Sequence, residues 1–425
     1  MSGFQRFDRP GYDSEWVGTF AKPFEEPGCR CPDRPVRDGF LMKSRRSGVR
    51  SGIRLLSRRL IVSRKQSWIG AGPKGCSDTW NRDLRSRSMA SRMLERLKAI
   101  RSYRTGERGP SNKKILGWMA RIWDPTDIIR IQPMSYGRNW SYQIELNRYP
   151  YRAILKTYRS KFAHDRQKNE TASLKYLVPF LKGTVPEIYG EASKEEDTPW
   201  LLLEWKEGQC LAGVFGDLCP EERSDVMRQC GQLCRKLHSM KSSGVGPMTI
   251  EGGLNMSWVD YFFGQCDRML NAPIIFRTID RRLIDRVRDC LMCDGHAILR
   301  DPIPSIFLHY DFTVWNIQVE KRDGRWEISG LFDFESAIRG DVRMDLVWTE
   351  HIHKVHMPIA IDRESFSTGY GENIDSLPLE IRKLYSIYRQ TNRICTLSEF
   401  GNKAEVAKQL TVLDGLFHGS KHDGS

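Results

Sequence analysis

The segment Phe307–Asn316, FLHYDFTVWN, holds a histidine, an aspartate two residues later and an asparagine five residues after that. A second aspartate, Asp333, follows an apolar run in GLFDFES. Asp311 and Asn316 stand too far apart to be neighbours on a strand, so a looped segment must bring them to one cavity. Such a set suits phosphoryl transfer. One carboxylate takes the proton of an acceptor hydroxyl, while an amide oxygen and a second carboxylate hold Mg²⁺ on the phosphates. Upstream, Tyr151–Tyr158 reads YRAILKTY, and its period of two puts Ile154 and Lys156 on one face of a strand. Glu170 shares a helical stripe with Leu174 and Leu177. An acid on a core-facing stripe needs a partner, and Lys156 is the obvious one. Taken singly, Lys156 reads as a solvated strand lysine and Glu170 as a solvated helix acid; their company changes both readings.

The ordered series His309, Asp311, Asn316, Asp333 and GDVRMDL (Gly340–Leu346) resembles the aminoglycoside phosphotransferase and choline kinase-like family, relatives of the protein kinases. The resemblance runs over about Ile128–Tyr370. It implies an α+β, bilobal protein-kinase-like fold, with a small β-rich N-lobe and a larger α-rich C-lobe. It also implies ATP and Mg²⁺ as cofactors and a small-molecule hydroxyl as acceptor. By that likeness Asp311 is the catalytic base, and Asn316 and Asp333 are the Mg²⁺ ligands. His309 orients the loop, and Asp341 and Asp345 brace it. Lys156 meets the nucleotide phosphates, Ile154 packs on the base and Glu170 holds the lysine. Two departures stand out: Val342 replaces a usual proline, and Tyr310 stands where many relatives carry glycine. The phosphate loop, PMSYGRNWSY, has only Gly137, so Ser135, Asn139 and Ser141 are the expected phosphate donors; an ordinary polar hairpin reads nearly as well. EWKEG (Glu204–Gly208) resembles the interlobe hinge, whose backbone would meet the adenine edge.

The elements that must carry these residues follow from pattern. Strand-like runs lie at Ile128–Gln132, Trp140–Leu146, Tyr151–Tyr158 and Trp200–Trp205, with a helix over Asp165–Val178. Beyond Gly208 the texture is helical: Val226, Met227, Cys230, Leu233, Cys234 and Leu237 recur at helix spacing. Strand-like segments at Asn316–Glu320 and Trp326–Phe332 interrupt it. The expected plan is a basic low-order tail over 1–110, a nucleotide-binding N-lobe over 111–206, and a catalytic, acceptor-binding C-lobe over 207–425.

The net charge of +14 on 425 residues suggests nucleic acid until it is located. Residues 1–110 hold 25 Lys+Arg against 11 Asp+Glu, and the remaining residues hold 42 of each sign. The charge therefore belongs to a tail whose sparse apolar content predicts disorder, apart from a short helix near Ser91–Ile100. That tail lacks the interleaved aromatics that base stacking needs, so nucleic acid has a place only as its partner. No apolar run reaches the roughly 18 residues of a membrane span. The eleven scattered cysteines read as reduced thiols of a cytoplasmic protein. The single C-x-x-C (Cys290, Cys293) and the His351, His353, His356 cluster lack the spacing of a zinc site. No P-loop or G-x-S-x-G sequence occurs. The leading reading is an ATP- and Mg²⁺-dependent small-molecule kinase. The alternatives are a catalytically weak, kinase-like nucleotide binder and a nucleic-acid binder acting through the tail. Acidic and basic residues are balanced over Gly340–Tyr370, which favours a neutral or singly charged acceptor over a polycation.

Overall fold

The alternating apolar pattern of the first half forms one five-stranded antiparallel sheet. The computed structural model describes residues 109–134, 139–356 and 362–418. The basic tail, its expected helix, and Ser135 and Gly137 of the phosphate loop lie outside the described residues. Strands β1 (Ile128–Met134), β2 (Trp140–Leu146), β3 (Arg152–Thr157), β4 (Ile188–Glu191) and β5 (Trp200–Glu204) take the order β1-β2-β3-β5-β4. Ala153 and Leu155 of β3, with Trp200 and Leu202 of β5, pack on helix α1 (Asn112–Met119) through Ile115, Trp118 and Met119. Leu201 and Leu203 face the other way and pack with Leu174 and Leu177 of helix α2 (Ala163–Leu177). The period of two thus delivers Ile154 and Lys156 to the side that carries α2. Helix α2 buries Gln167, Asn169, Glu170 and Ser173 beside its leucines, which is unusual for a core-facing helix and marks a polar centre beneath it.

The second half is mainly helical. Helix α3 (Pro220–His238) starts with a capping box between Cys219 and Glu222 and buries Val226, Met227, Cys230, Leu233, Cys234 and Leu237. It crosses α6 (Arg363–Tyr370) where two glycines let the backbones touch. A Cβ on Gly231 would sit 2.1 Å from the Phe366 carbonyl oxygen, and one on Gly369 would sit 1.9 Å from that of Arg228. Helix α4 (Trp258–Asn271) packs on α7 (Leu379–Glu399), with Trp258 Nε1 donating to the Tyr385 hydroxyl at 2.9 Å. Helices α5 (Val342–His356) and α8 (Lys403–His418) also belong to this half, together with shorter helices between α4 and β8. The Cys290–Cys293 pair is split by exposure: Cys290 is buried and Cys293 exposed. The side chains of His351, His353 and His356 lie outside the described residues.

Two small sheets carry the chemical segments. Strands β9 (Ile317–Arg322) and β10 (Arg325–Leu331) form a hairpin that also pairs β6 (Gln209–Cys210), while β7 (Gly246–Pro247), β11 (Ile338–Gly340) and β8 (Ile306–Leu308) form another sheet. The register Ile317↔Leu331 sets the start of β9 beside the end of β10. That register brings Asn316 next to the Asp333 segment, and the Phe332 amide donates to the Asn316 carbonyl at 2.9 Å. The architecture is the α+β, bilobal kinase-like arrangement expected from the sequence. Asp311 and Asn316 sit in the irregular connection between β8 and β9.

Candidate active site

Lys156 is the hub. Its Nζ lies 2.6 Å from Glu170 Oε2, 2.7 Å from Asp333 Oδ1 and 3.2 Å from Glu335 Oε2. A buried ammonium demands such company. Burial works against its charge, but Asp333, Glu170 and Glu335 outweigh that and hold the proton more firmly than an ordinary lysine does. Burial pushes the Glu170 carboxyl up to about 6, Lys156 opposing and the neighbouring acids adding to the rise. Glu170 Oε2 also accepts from the Tyr158 hydroxyl at 2.7 Å.

Sequence reasoning missed Glu335. It is 5% exposed and bridges three cationic or amide groups: Lys156, Arg166 Nη1 at 2.7 Å and Asn139 Nδ2 at 2.6 Å. The signal was present, since an acid stands two residues beyond Asp333 in the same loop. Glu170, Asp333 and Glu335 each offer an oxygen within 4.8 Å of the others. Asn169, also missed, ties this loop to its surroundings, donating to the Glu335 and Ala337 carbonyls at 3.1 and 2.8 Å and accepting from the Met248 amide at 2.8 Å.

The loop that carries Asp311 is braced from beneath. Asp345 receives the His309 amide on Oδ2 and the Tyr310 amide on Oδ1, both at 2.8 Å. Burial opposes its ionisation, but His238, His309 and Arg389 prevail and hold its carboxyl below the ordinary range. Asp341 was expected to share this task and does another. It binds Arg343 and the Tyr385 hydroxyl, fixing the start of α5 to α7 rather than the loop. His309 is fully buried. Its Nε2 lies 2.9 Å from the Phe332 carbonyl, so it donates there, and its Nδ1 accepts the Asp311 amide at 3.3 Å. Burial lowers its affinity for a second proton. It is a strut between the two chemical loops.

Asp311 is held on both sides. Trp348 Nε1 donates to its Oδ1 at 3.1 Å. Asn316 Nδ2 donates to its backbone carbonyl at 2.9 Å and approaches Oδ2 at 3.4 Å. The preceding residue, Tyr310, has φ of +66°, the left-handed region that favours glycine. Three contacts keep it there. Asp345 takes its amide, Arg389 Nη2 donates to its carbonyl, and the Arg389 guanidinium stacks 3.6 Å from its ring. Arg389 is 7% exposed and also stacks 4.3 Å from Trp348. No local pattern could have shown this, because Trp348 and Arg389 come from helices 37 and 78 residues downstream of Asp311.

Of the expected nucleotide-side residues, Ile154 is half-buried on the Lys156 face, and Ser141 pairs with Lys156 across β2 and β3. Asn139 donates to Glu335 and accepts the Arg159 amide at 3.2 Å. The half-buried Glu204 side chain takes the Glu187 amide at 3.1 Å and Lys206 Nζ at 2.8 Å. The donor set fits a hard divalent cation. Asn316 spends its amide nitrogen on Asp311 and keeps its amide oxygen, while Asp333 spends one oxygen on Lys156. Asp333 itself has φ of +67° with its side chain 35% exposed.

The family model described as Phosphotransferase enzyme family matches residues 136–361. The chain belongs to that family. Among curated proteins no sequence matches it. Its fold is similar to that of a GDP and kanamycin complex of APH(2")-IIia, with a TM-score of 0.56 and 13% identity over 72% of this chain and 99% of that one. A thermostable mutant of APH(4)-Ia with ADP and hygromycin B gives a TM-score of 0.54 and 16% identity over 74% and 100%. The GDP complex of wild-type aminoglycoside 2'-phosphotransferase-IIIa gives 0.56 and 13% over 72% and 98%. At such identities the likeness establishes the protein-kinase-like fold alone.

Proposed function

We propose that this phosphotransferase is an ATP- and Mg²⁺-dependent kinase that moves the γ-phosphoryl group to a hydroxyl of a small molecule. The observation that carries the reading is the convergence of Lys156, Glu170 and Asp333 beside a catalytic loop pinned by Asp345. Solved relatives hold GDP, ADP and AMP-PNP, which supports a nucleotide as the donor. In this reading Lys156 meets the phosphates, with Ser135, Asn139 and Ser141 as further donors to them. Ile154 packs on the base beside the backbone at Glu204. Asn316 and Asp333 would hold Mg²⁺, which supplies electrostatic stabilisation of the transferring phosphoryl group. The acceptor oxygen bonds to the γ-phosphorus as the bond to the β,γ-bridging oxygen breaks. The diphosphate leaves with that electron pair, and the hydroxyl proton passes to Asp311. Trp348 occupies Oδ1, so Oδ2 is the oxygen that takes it.

Among the described residues no helix is long and apolar enough to cross a membrane, and no two of the eight described cysteines form a disulfide. Both support a cytoplasmic placement. The test is ATP consumption over a panel of hydroxyl compounds, followed by mass spectrometry of the product. A phosphorylated product that disappears with Asp311→Asn, while nucleotide binding persists, is expected. Nucleotide binding without turnover on every class of acceptor would refute the enzyme reading.

A further inference from the structure

A cavity of about 200 Å³ lies between the first turn of α2, one stripe of α4, the end of α7 and the two chemical loops. Its boundary includes Tyr310, which precedes Asp311, and Glu335, which follows Asp333 by two residues. Its walls thus adjoin the segments that carry Asp311 and Asp333. Resting on the kinase reading above, we propose that this cavity is the acceptor site and that it takes a small, uncharged alcohol with a planar apolar body.

The walls argue for the apolar body. Trp258, Tyr261 and Phe262 from α4 face Tyr388 from α7, with Phe162 and Tyr310 closing the sides. Ligand sites of this kind use apolar rings for affinity and a few polar groups for orientation. The uncharged polar groups of the lining include Gln265 on α4 and Asn392 on α7. Both line the cavity, and neither side chain has a hydrogen-bond partner among the described residues. Two amides can hold a hydroxyl or ether oxygen without adding charge.

The charges argue against a polycation. Glu335 is committed to Lys156, Arg166 and Asn139, and Glu399 pairs with Lys161 at 3.4 Å. That leaves Asp165 as the lining acid with no ion pair among the described residues. Arg166 lines the same cavity, and the Arg389 guanidinium already covers one face of the Tyr310 ring at 3.6 Å. A second cation on that ring would meet a positive charge behind it. At about 200 Å³ the cavity falls below the usual range for ligand pockets, about 300–1,000 Å³, so it suits a compact ligand.

Calorimetry on the full chain, with and without a non-hydrolysable ATP analogue, tests this with 4-hydroxybenzyl alcohol, 2-phenylethanol, inositol and kanamycin. The two aromatic alcohols should bind and, with ATP, be phosphorylated. Gln265→Leu and Asn392→Leu should each raise their Kd about three- to tenfold, the loss of one hydrogen bond. Gln265→Trp, which fills the space, should abolish binding. Tighter binding of inositol or kanamycin, no binding of any probe, or indifference to Gln265→Trp would each overturn the proposal. Failure of the kinase reading looks different. The nucleotide analogue would then not bind, while the aromatic alcohols would still bind and respond to the three variants.

Discussion

Arg389 is a buried cation that stacks on the Asp311 loop and lies in the field of Asp345, and replacing it by methionine is the most revealing perturbation. Three interactions go. The charge-assisted bond to the Tyr310 carbonyl is worth about 1.5–3 kcal/mol. The stacks on Tyr310 at 3.6 Å and Trp348 at 4.3 Å add about 0.5–2 kcal/mol each. Against these, methionine relieves a desolvated guanidinium whose Nε has no hydrogen-bond partner, a recovery of about 1–3 kcal/mol. The net cost should be about 2–3 kcal/mol. Arg389→Lys should not rescue it, because an ammonium cannot stack on two rings and donate to the carbonyl together. Tyr310→Gly offers the complementary change, since glycine takes the +66° φ without strain and removes one stacked ring. In that background Arg389→Met should cost about 1–2 kcal/mol less, because the shared contact is already gone. Urea melts of the four proteins give the coupling directly. Additivity within about 0.5 kcal/mol would refute the idea that Arg389 is what holds a non-glycine residue in that backbone region.

Further expectations concern the reacting groups. Asp311→Asn should lower kcat about 10²–10⁴-fold with nucleotide affinity retained, as rapid-mixing turnover and calorimetry would show. Asp333→Ala and Asn316→Ala should weaken Mg²⁺-nucleotide binding. Raised Mg²⁺ should partly restore Asn316→Ala and leave Lys156→Ala unimproved, so identical Mg²⁺ titrations would contradict separate roles. Burial holds the His309 imidazole below its ordinary 6.5 despite the nearby carboxylates. The unfolded chain therefore takes up a proton that the folded one refuses. Stability is fully present above that value and falls as pH drops below it. The urea midpoint should decline from pH 7.5 to 5.5, and less so in His309→Gln. Finally, residues 111–425 alone should fold and keep the melting temperature of the full chain, because α1 begins with a Ser111 cap and seals the sheet through Ile115, Trp118 and Met119.

The parts of the site legible in the sequence are those whose neighbours are set by local periodicity. Alternation placed Lys156 opposite α2, helical spacing placed Glu170 toward it, and the run before Asp333 marked the strand that returns to Asn316. Glu335 was legible and overlooked, since the polar stretch after Asp333 resembles an ordinary turn. Trp348, Asn169 and Arg389 were not legible. Their partners come from remote segments, and a tryptophan or a polar helix residue looks the same in sequence whether it supports Asp311 or a core. Asp341 and Asp345 show the same limit: four residues apart on one motif, they serve different neighbours.

The three acids around Lys156 have a consequence for the order in which ligands arrive. With Arg166 included, the cluster holds two positive and three negative charges before anything binds. A bare polyphosphate approaching Lys156 meets a cation whose field is already cancelled, and each uncompensated carboxylate at about 4 Å repels it by about 4 kcal/mol at an effective dielectric of 20. On the proposed reading a divalent ion reverses that balance, neutralising Asp333 while cancelling charge on the phosphates. Metal and nucleotide then enter as one complex of reduced negative charge, and Lys156 changes partners rather than gaining one. On that reading the centre works as a valence filter: it disfavours nucleotide alone, and its affinity for either component is tied by linkage to the presence of the other.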